Sequence, residues 1–308
     1  MTSPSSRNLT LSASTPEDIL AAVPVVLSFE PEHSVVMLTF GGIDTFHARV
    51  DLPPPRLVDD AVESLLEPAR ALRVAQVLFV VYADDGPTVR TMSQRLRRAF
   101  ERAGIDVLEL LRAYDGRWFA PHLRGVPREG VPYDVEDHRF RAQAVVQGIV
   151  VHRSRADLEA VLQPRAEAVA EVERVLVGAA PSPPGEIADL VACRLDGGRF
   201  TDAELARLLL GLAEWPGEEA ARAAITRGSA TRHVRLWTDA VQRAPDALVA
   251  EPAALLGLAA WLAGQGALSW CAVQRCLDAE PDHRLAHLVA HALSRAVPPS
   301  AWELVEAG

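Results

Sequence analysis

The chain has 308 residues, 49% of them apolar, enough for roughly two domains that each bury a core without disulfides. All 31 basic residues are arginine, which excludes a P-loop lysine, a Schiff-base lysine and a lysine general base. The formal charge of −10 divides evenly between residues 1–177 and 178–308, so neither half offers the basic surface that duplex nucleic acid requires.

Residues 1–14 are rich in Ser and Thr and predict a flexible start. In STPEDILAAV, Thr15 as N-cap, Pro16 at the first helical position and Asp18 closing a capping box predict a short helix that Pro24 ends. The apolar stretch ILAAVPVVLSF is too short to span a bilayer, and Glu17 and Asp18 precede it where a signal peptide carries positive charge. No membrane partner is therefore expected, and the expected location is cytoplasmic. Cys193, Cys271 and Cys276 form no CxxC pair, which suits reduced, structural thiols.

SVVMLTF, the turn GGID and TFHARVDL predict a β-hairpin. The prolines at 53–55 stop the ladder and launch a helix over 56–73. VAQVLFVVY predicts a strand covered on both faces, and TVRTMSQRLRRAFERAG a helix burying Met92, Leu96 and Phe100. IDVLELLRAY, the turn DG and RWF give a second hairpin. This order predicts an α/β fold, a mixed sheet with packed helices. A Pro/Gly loop fills 120–135. Helix resumes over HRFRAQAVVQGIVV and SRADLEAVLQP, and RAEAVAEVERVL reads as a long amphipathic helix leaving the sheet.

GAAPSPPGE, 178–186, is a Pro-rich linker or inter-helix break. It sets an α/β domain at 15–177 before an all-α domain at 187–308, whose helices are separated by Gly and Pro. There LLGLAAWLAGQGALSWCAVQRCLDAEPDH looks like a degenerate tetratricopeptide hairpin, a module that contacts another protein or packs on its own chain.

Three constellations bear on chemistry. Asp51, Asp84, Asp85 and Asp115 follow predicted strands; if those strand ends cluster, the carboxylates can hold a divalent cation, and if not, they are turn residues that start the next element. Arg117, Trp118, His122, Arg124 and Arg128 lie in and beside the long loop, where an anionic ligand can be gripped or where Trp118 simply plugs the sheet. His283, His287 and His291, four residues apart, are expected to form one exposed polar stripe opposite Leu285, Leu288, Val289 and Ala292. That spacing makes them weak metal ligands, without the glutamate base of HExxH. No GxSxG elbow or GxGxxG loop occurs.

In order, STPEDILAAVPVVLSFEPEHSVVML, HARVDLP, VLFVVYADD, GRWFAPHL, AVVQGIVVHRSRADLEAVL and LLGLAAWLAGQGALSWCAVQRCLDAEP resemble the actinobacterial family called domain of unknown function 4192. The resemblance implies a cytosolic actinobacterial protein and no particular activity. Two positions depart from the family pattern: Ser28 stands where glycine is expected, and HLRGVPREGVP replaces a cysteine-bearing stretch, so chemistry of those cysteines is not expected here.

The leading expectation is a non-enzymatic module that binds another protein, or itself, through the helical domain, with no resident cofactor. The first rival is a metal-dependent hydrolase of a small anionic or phosphorylated substrate, with Asp51, Asp84 and Asp85 as ligands and Arg117 orienting the substrate. The second is a sensor that holds an anionic small ligand in the 117–128 loop without turnover.

Overall fold

The computed structural model describes residues 11–43, 46–120, 122–146, 149–214 and 216–302. The chain divides into two units, one running to Arg155 and one starting at Ala156.

The first unit begins with α1 (Pro16–Leu27), started by the expected box: Thr15 Oγ1 accepts from Asp18 N and Asp18 Oδ2 from Thr15 N. Pro24 does not end this helix. Its ring removes the bond to the Leu20 carbonyl, yet burial of Leu20, Ala21, Val23, Val25 and Leu27 carries the helix past it. The stop falls at Ser28, whose φ of 64° is left-handed.

The predicted hairpin is β1 (Ser34–Phe40) with β2 (His47–Asp51); Asp44 and Thr45 of its turn lie outside the described residues. A 3-10 turn, Pro55–Leu57, leads into α2 (Val58–Ala71), then come β3 (Gln76–Tyr82), α3 (Pro87–Arg102), β4 (Asp106–Tyr114) and β5 (Arg117–Phe119). The loop predicted over 120–135 is not open throughout: it contains β6 (Val131–Pro132), paired with β5. A left-handed Gly130 allows this return, since a side chain there would strike the Phe119 ring.

Next is α4 (Arg139–Val146). The helix expected to run through Val151 does not do so: the β-branched Ile149, Val150 and Val151 leave it, and His152 bridges Phe29 in parallel.

Among the described residues the sheet has the order β2-β1-β3-β4-β5-β6, with β3 and β4 parallel and the other pairs antiparallel. Val35, Met37, Val77, Phe79 and Val81 share the core of α2 and α3, packing with Leu65, Leu66, Met92, Leu96 and Phe100. Alternate residues, including Ser34, Val36, Val80 and Tyr82, face the opposite side.

The second unit is helical: α5 (Arg155–Ala160), α6 (Ala166–Leu176), α7 (Pro184–Arg194), α8 (Asp202–Leu212), α9 (Gly217–Arg222), α10 (Ala230–Arg243), α11 (Ala250–Leu262), α12 (Gly266–Ala279) and α13 (Arg284–Ser294). The amphipathic helix expected to leave the sheet, α6, packs on α8 and α10. The 178–186 segment is an inter-helix break pressed onto α8, where the buried Ser182 donates its N–H to the Arg207 carbonyl at 3.0 Å.

Helix α11 is enclosed by α8, α9, α10, α12 and α13, and Glu251 is its one residue that is not buried. It approaches α12 closely at Gly257, whose carbonyl accepts from Ser269 Oγ at 2.7 Å. Arg243 is fully buried and ties α10 to the start of α8, donating to Asp239 at 2.7 Å, Asp202 at 2.6 Å and the Phe200 carbonyl at 2.8 Å.

Candidate functional site

β2 and β3 are both antiparallel to β1, and β4 is parallel to β3, so all three strands end at one edge of the sheet. The hydrolase reading needs that direction, but it also needs convergence, and convergence is missing. Asp51 pairs with Arg49 at 2.8 Å and Asp85 with Arg90 at 2.7 Å, while Asp84 Oδ1 accepts from Asp85 N at 2.7 Å. Asp115, at φ 47°, and Gly116, at φ 65°, are the two left-handed residues of a tight hairpin turn. With β1 between them, Asp51 and the end of β3 stand roughly 10 Å apart at ordinary strand spacing. Among the described residues no three of these carboxylates lie within ligand reach of one another. Asp84 and Asp85 are turn residues, and even the cap of α3 is Gly86, followed by Pro87.

The long-loop candidates are engaged separately. Trp118 is buried and donates its indole N–H to Glu17 at 2.9 Å, so it plugs the sheet against the start of α1. His122 donates from Nε2 to Glu109 at 2.6 Å. Arg124 and Arg128 are exposed, while Arg117 Nη1 is buried without a hydrogen-bond partner among the described residues. The site residue missed in this region is Asp18, which accepts from Ser14 N and Thr15 N, His138 Nε2 and Arg139. The backbone donors Ser14 and Thr15, with Arg139, hold its carboxyl below the usual range. Its capping-box spacing was legible, but not the two partners 120 residues away.

The histidine stripe is corrected at its first member. His283 is buried as the N-cap of α13, its Nδ1 accepting from Ala286 N at 3.4 Å, while His287 and His291 are exposed. A capping residue lies outside the helical repeat, so the 100° rule does not place it with the other two. Leu288, expected in the core, is 47% exposed. His287 Nε2 donates to the Pro281 carbonyl at 2.7 Å.

The neighbours of His283 are two residues that sequence reasoning missed. Glu251 in the first turn of α11, Glu280 closing α12 and His283 opening α13 bring one ligand atom each to within 4.8 Å of one another. Burial raises the Glu251 carboxyl above its ordinary range; its own N–H and His283 oppose that, and Glu280 and Glu218 add to it. The same three glutamates, after burial itself, push the nearby Cys276 thiol up. Among the described residues none of Glu218, Glu251 and Glu280 forms an ion pair with arginine. Glu280 to His283 is a tight turn, with His283 N donating to the Glu280 carbonyl at 3.2 Å, and that turn is the one signal in the sequence for the pair.

A second feature lies on the outer edge of the sheet. Leu52 N donates to the His33 carbonyl at 2.8 Å, which fixes the alternation along the hairpin: Ala48 and Val50 bond to β1, while the N–H and C=O groups of His47, Arg49 and Asp51 point away from it. Among the described residues no strand pairs with that outer side.

No described helix is long and apolar enough to cross a membrane. No curated protein and no solved structure matches the chain. A family model matches residues 16–300, from the first helical residue of α1 to the turn at Pro299–Ala301 and so through both units. The ordered motifs and this match agree: the chain belongs to the family described as a domain of unknown function, DUF4192.

Proposed function

We propose that the chain is a non-enzymatic cytoplasmic module that binds another polypeptide, and that the free edge of β2 is the place of binding. The supporting observation is the row of outward N–H and C=O groups at His47, Arg49 and Asp51, which an added strand can pair with directly. The charged Arg49–Asp51 pair and the five-residue length restrict such pairing to a short, selective partner. The strand-end aspartates lend the hydrolase reading little, because two of them are taken by arginines and a third by its own turn.

The helical unit offers a lesser surface. In the tetratricopeptide-like hairpin of α11 and α12 the first helix is enclosed, so a partner there meets α12 and α13, where Trp270 and Leu288 stand exposed.

Asp51→Pro tests the edge. It deletes an outward N–H without touching a bond to β1, and proline is tolerated at that side of an edge strand. Light scattering and affinity measurements on the purified chain and its captured partner are expected to show at least about tenfold weaker association in Asp51→Pro, with an unchanged thermal midpoint. A complex that survives Asp51→Pro and is lost in Trp270→Ala moves the interface to the helical unit. A chain that forms no complex with itself or another protein overturns the reading.

A further inference from the structure

We infer that Glu251, Glu280 and His283 form a binding site for a first-row divalent metal ion, of which Zn²⁺ is the natural occupant class. The site lies in the helical unit and is independent of the β2 edge.

Two carboxylate oxygens and one imidazole nitrogen are a mixed, borderline donor set. All-oxygen cages suit Ca²⁺ and Mg²⁺, and thiolate sets suit Cu⁺, whereas imidazole with carboxylate suits Zn²⁺ and its neighbours. The dimensions agree. An equilateral triangle with the 4.8 Å limit as its side has its centre about 2.8 Å from each corner, so a contraction of about 0.7 Å reaches zinc bond lengths. Glu280 is exposed and free to supply that movement, while the buried His283 and the helix-borne Glu251 give the fixed side of the site.

A second observation, independent of spacing, points the same way. Glu251 is the one residue that is not buried on an otherwise enclosed apolar helix. It stands near Glu280 and Glu218, and among the described residues none of the three has an arginine partner, in a chain where arginine pairs with acids throughout. A divalent cation supplies the missing positive charge. His283 is itself buried, so its ring is held in place beside the two carboxylates.

Ligation takes the lone pair of one imidazole nitrogen and leaves the proton on the other. It therefore replaces the long cap bond from Ala286 N, the weakest contact His283 makes. The bound ion would join the start of α11 to the end of α12 and the start of α13, about thirty residues further along the chain.

The test uses the full-length, metal-stripped chain. Zn²⁺ is expected to bind at one equivalent per chain by mass spectrometry after gel filtration, and to raise the thermal midpoint in a concentration-dependent way, with no rise for Mg²⁺ at the same concentration. Co²⁺ substitution gives an independent absorption signature. Glu251→Gln and His283→Asn are each expected to weaken Zn²⁺ binding at least about tenfold. Both variants preserve folding by design: glutamine keeps the shape of Glu251, and asparagine still caps α13. The double variant His287→Ala, His291→Ala is expected to bind as the wild type does. Loss of binding in that double variant, retention of it in Glu251→Gln, or absence of a Zn²⁺ equivalent in the wild type each overturns the assignment.

Discussion

At the scale of single residues, backbone conformation and burial decide what local sequence leaves open. Ser28 departs from the glycine expected there, and the structure supplies the reason for that expectation: the position is left-handed, which costs a side-chain-bearing residue about 1 kcal/mol that glycine avoids. His47 yields a pH prediction. Burial depresses its imidazole from 6.5 to about 4, and its Nδ1 is sealed without a partner even though the residue as a whole is half-buried. The unfolded chain then binds a proton that the folded chain refuses between those two values, so the His47 contribution is present above pH 6.5 and lost as pH falls toward 4. Urea midpoints across that range should show the wild type losing about 1–3 kcal/mol more than His47→Leu. Among candidate site residues, the turn role of Asp84 and Asp85 was legible from Gly86 and Pro87. The pairing of His283 with Glu251 was not, because it joins residues 32 apart through tertiary packing alone.

At the scale of elements, periodicity and turn chemistry were legible nearly throughout. The hairpins, the Met92, Leu96 and Phe100 face of α3, and the run of helices in the second unit stand close to where hydrophobic spacing puts them. The errors came where packing overrode a local signal, as at Pro24, or where two residues sufficed to make a strand, as at β6. Helix contact supplies the prediction at this scale. A Cβ on Gly217 at the start of α9 would overlap the Gly211 carbonyl of α8, so the two backbones can meet there only with glycine at 217. Gly217→Ala is expected to cost at least about 2 kcal/mol in chemical denaturation. Gly185→Ala, in open space inside α7, serves as its counterpart and is expected to leave stability unchanged or raise it by up to about 1 kcal/mol.

At the scale of the whole molecule, each unit has its own core, one between sheet and helices and one around α11. Calorimetry of the full chain should therefore depart from two-state behaviour, with a van't Hoff enthalpy below the calorimetric one; equal values would show a single cooperative block. The first unit also carries a consequence for synthesis. Its N-terminal helix is held by residues that come much later: Trp118 binds Glu17 across 101 positions, and His138 binds Asp18 across 120. A ribosome adding roughly 5–20 residues per second needs roughly 5–24 s to cover these intervals. For that interval the apolar ILAAVPVVL segment has emerged without its anchors, a hydrophobic stretch available to chaperones before the fold can claim it.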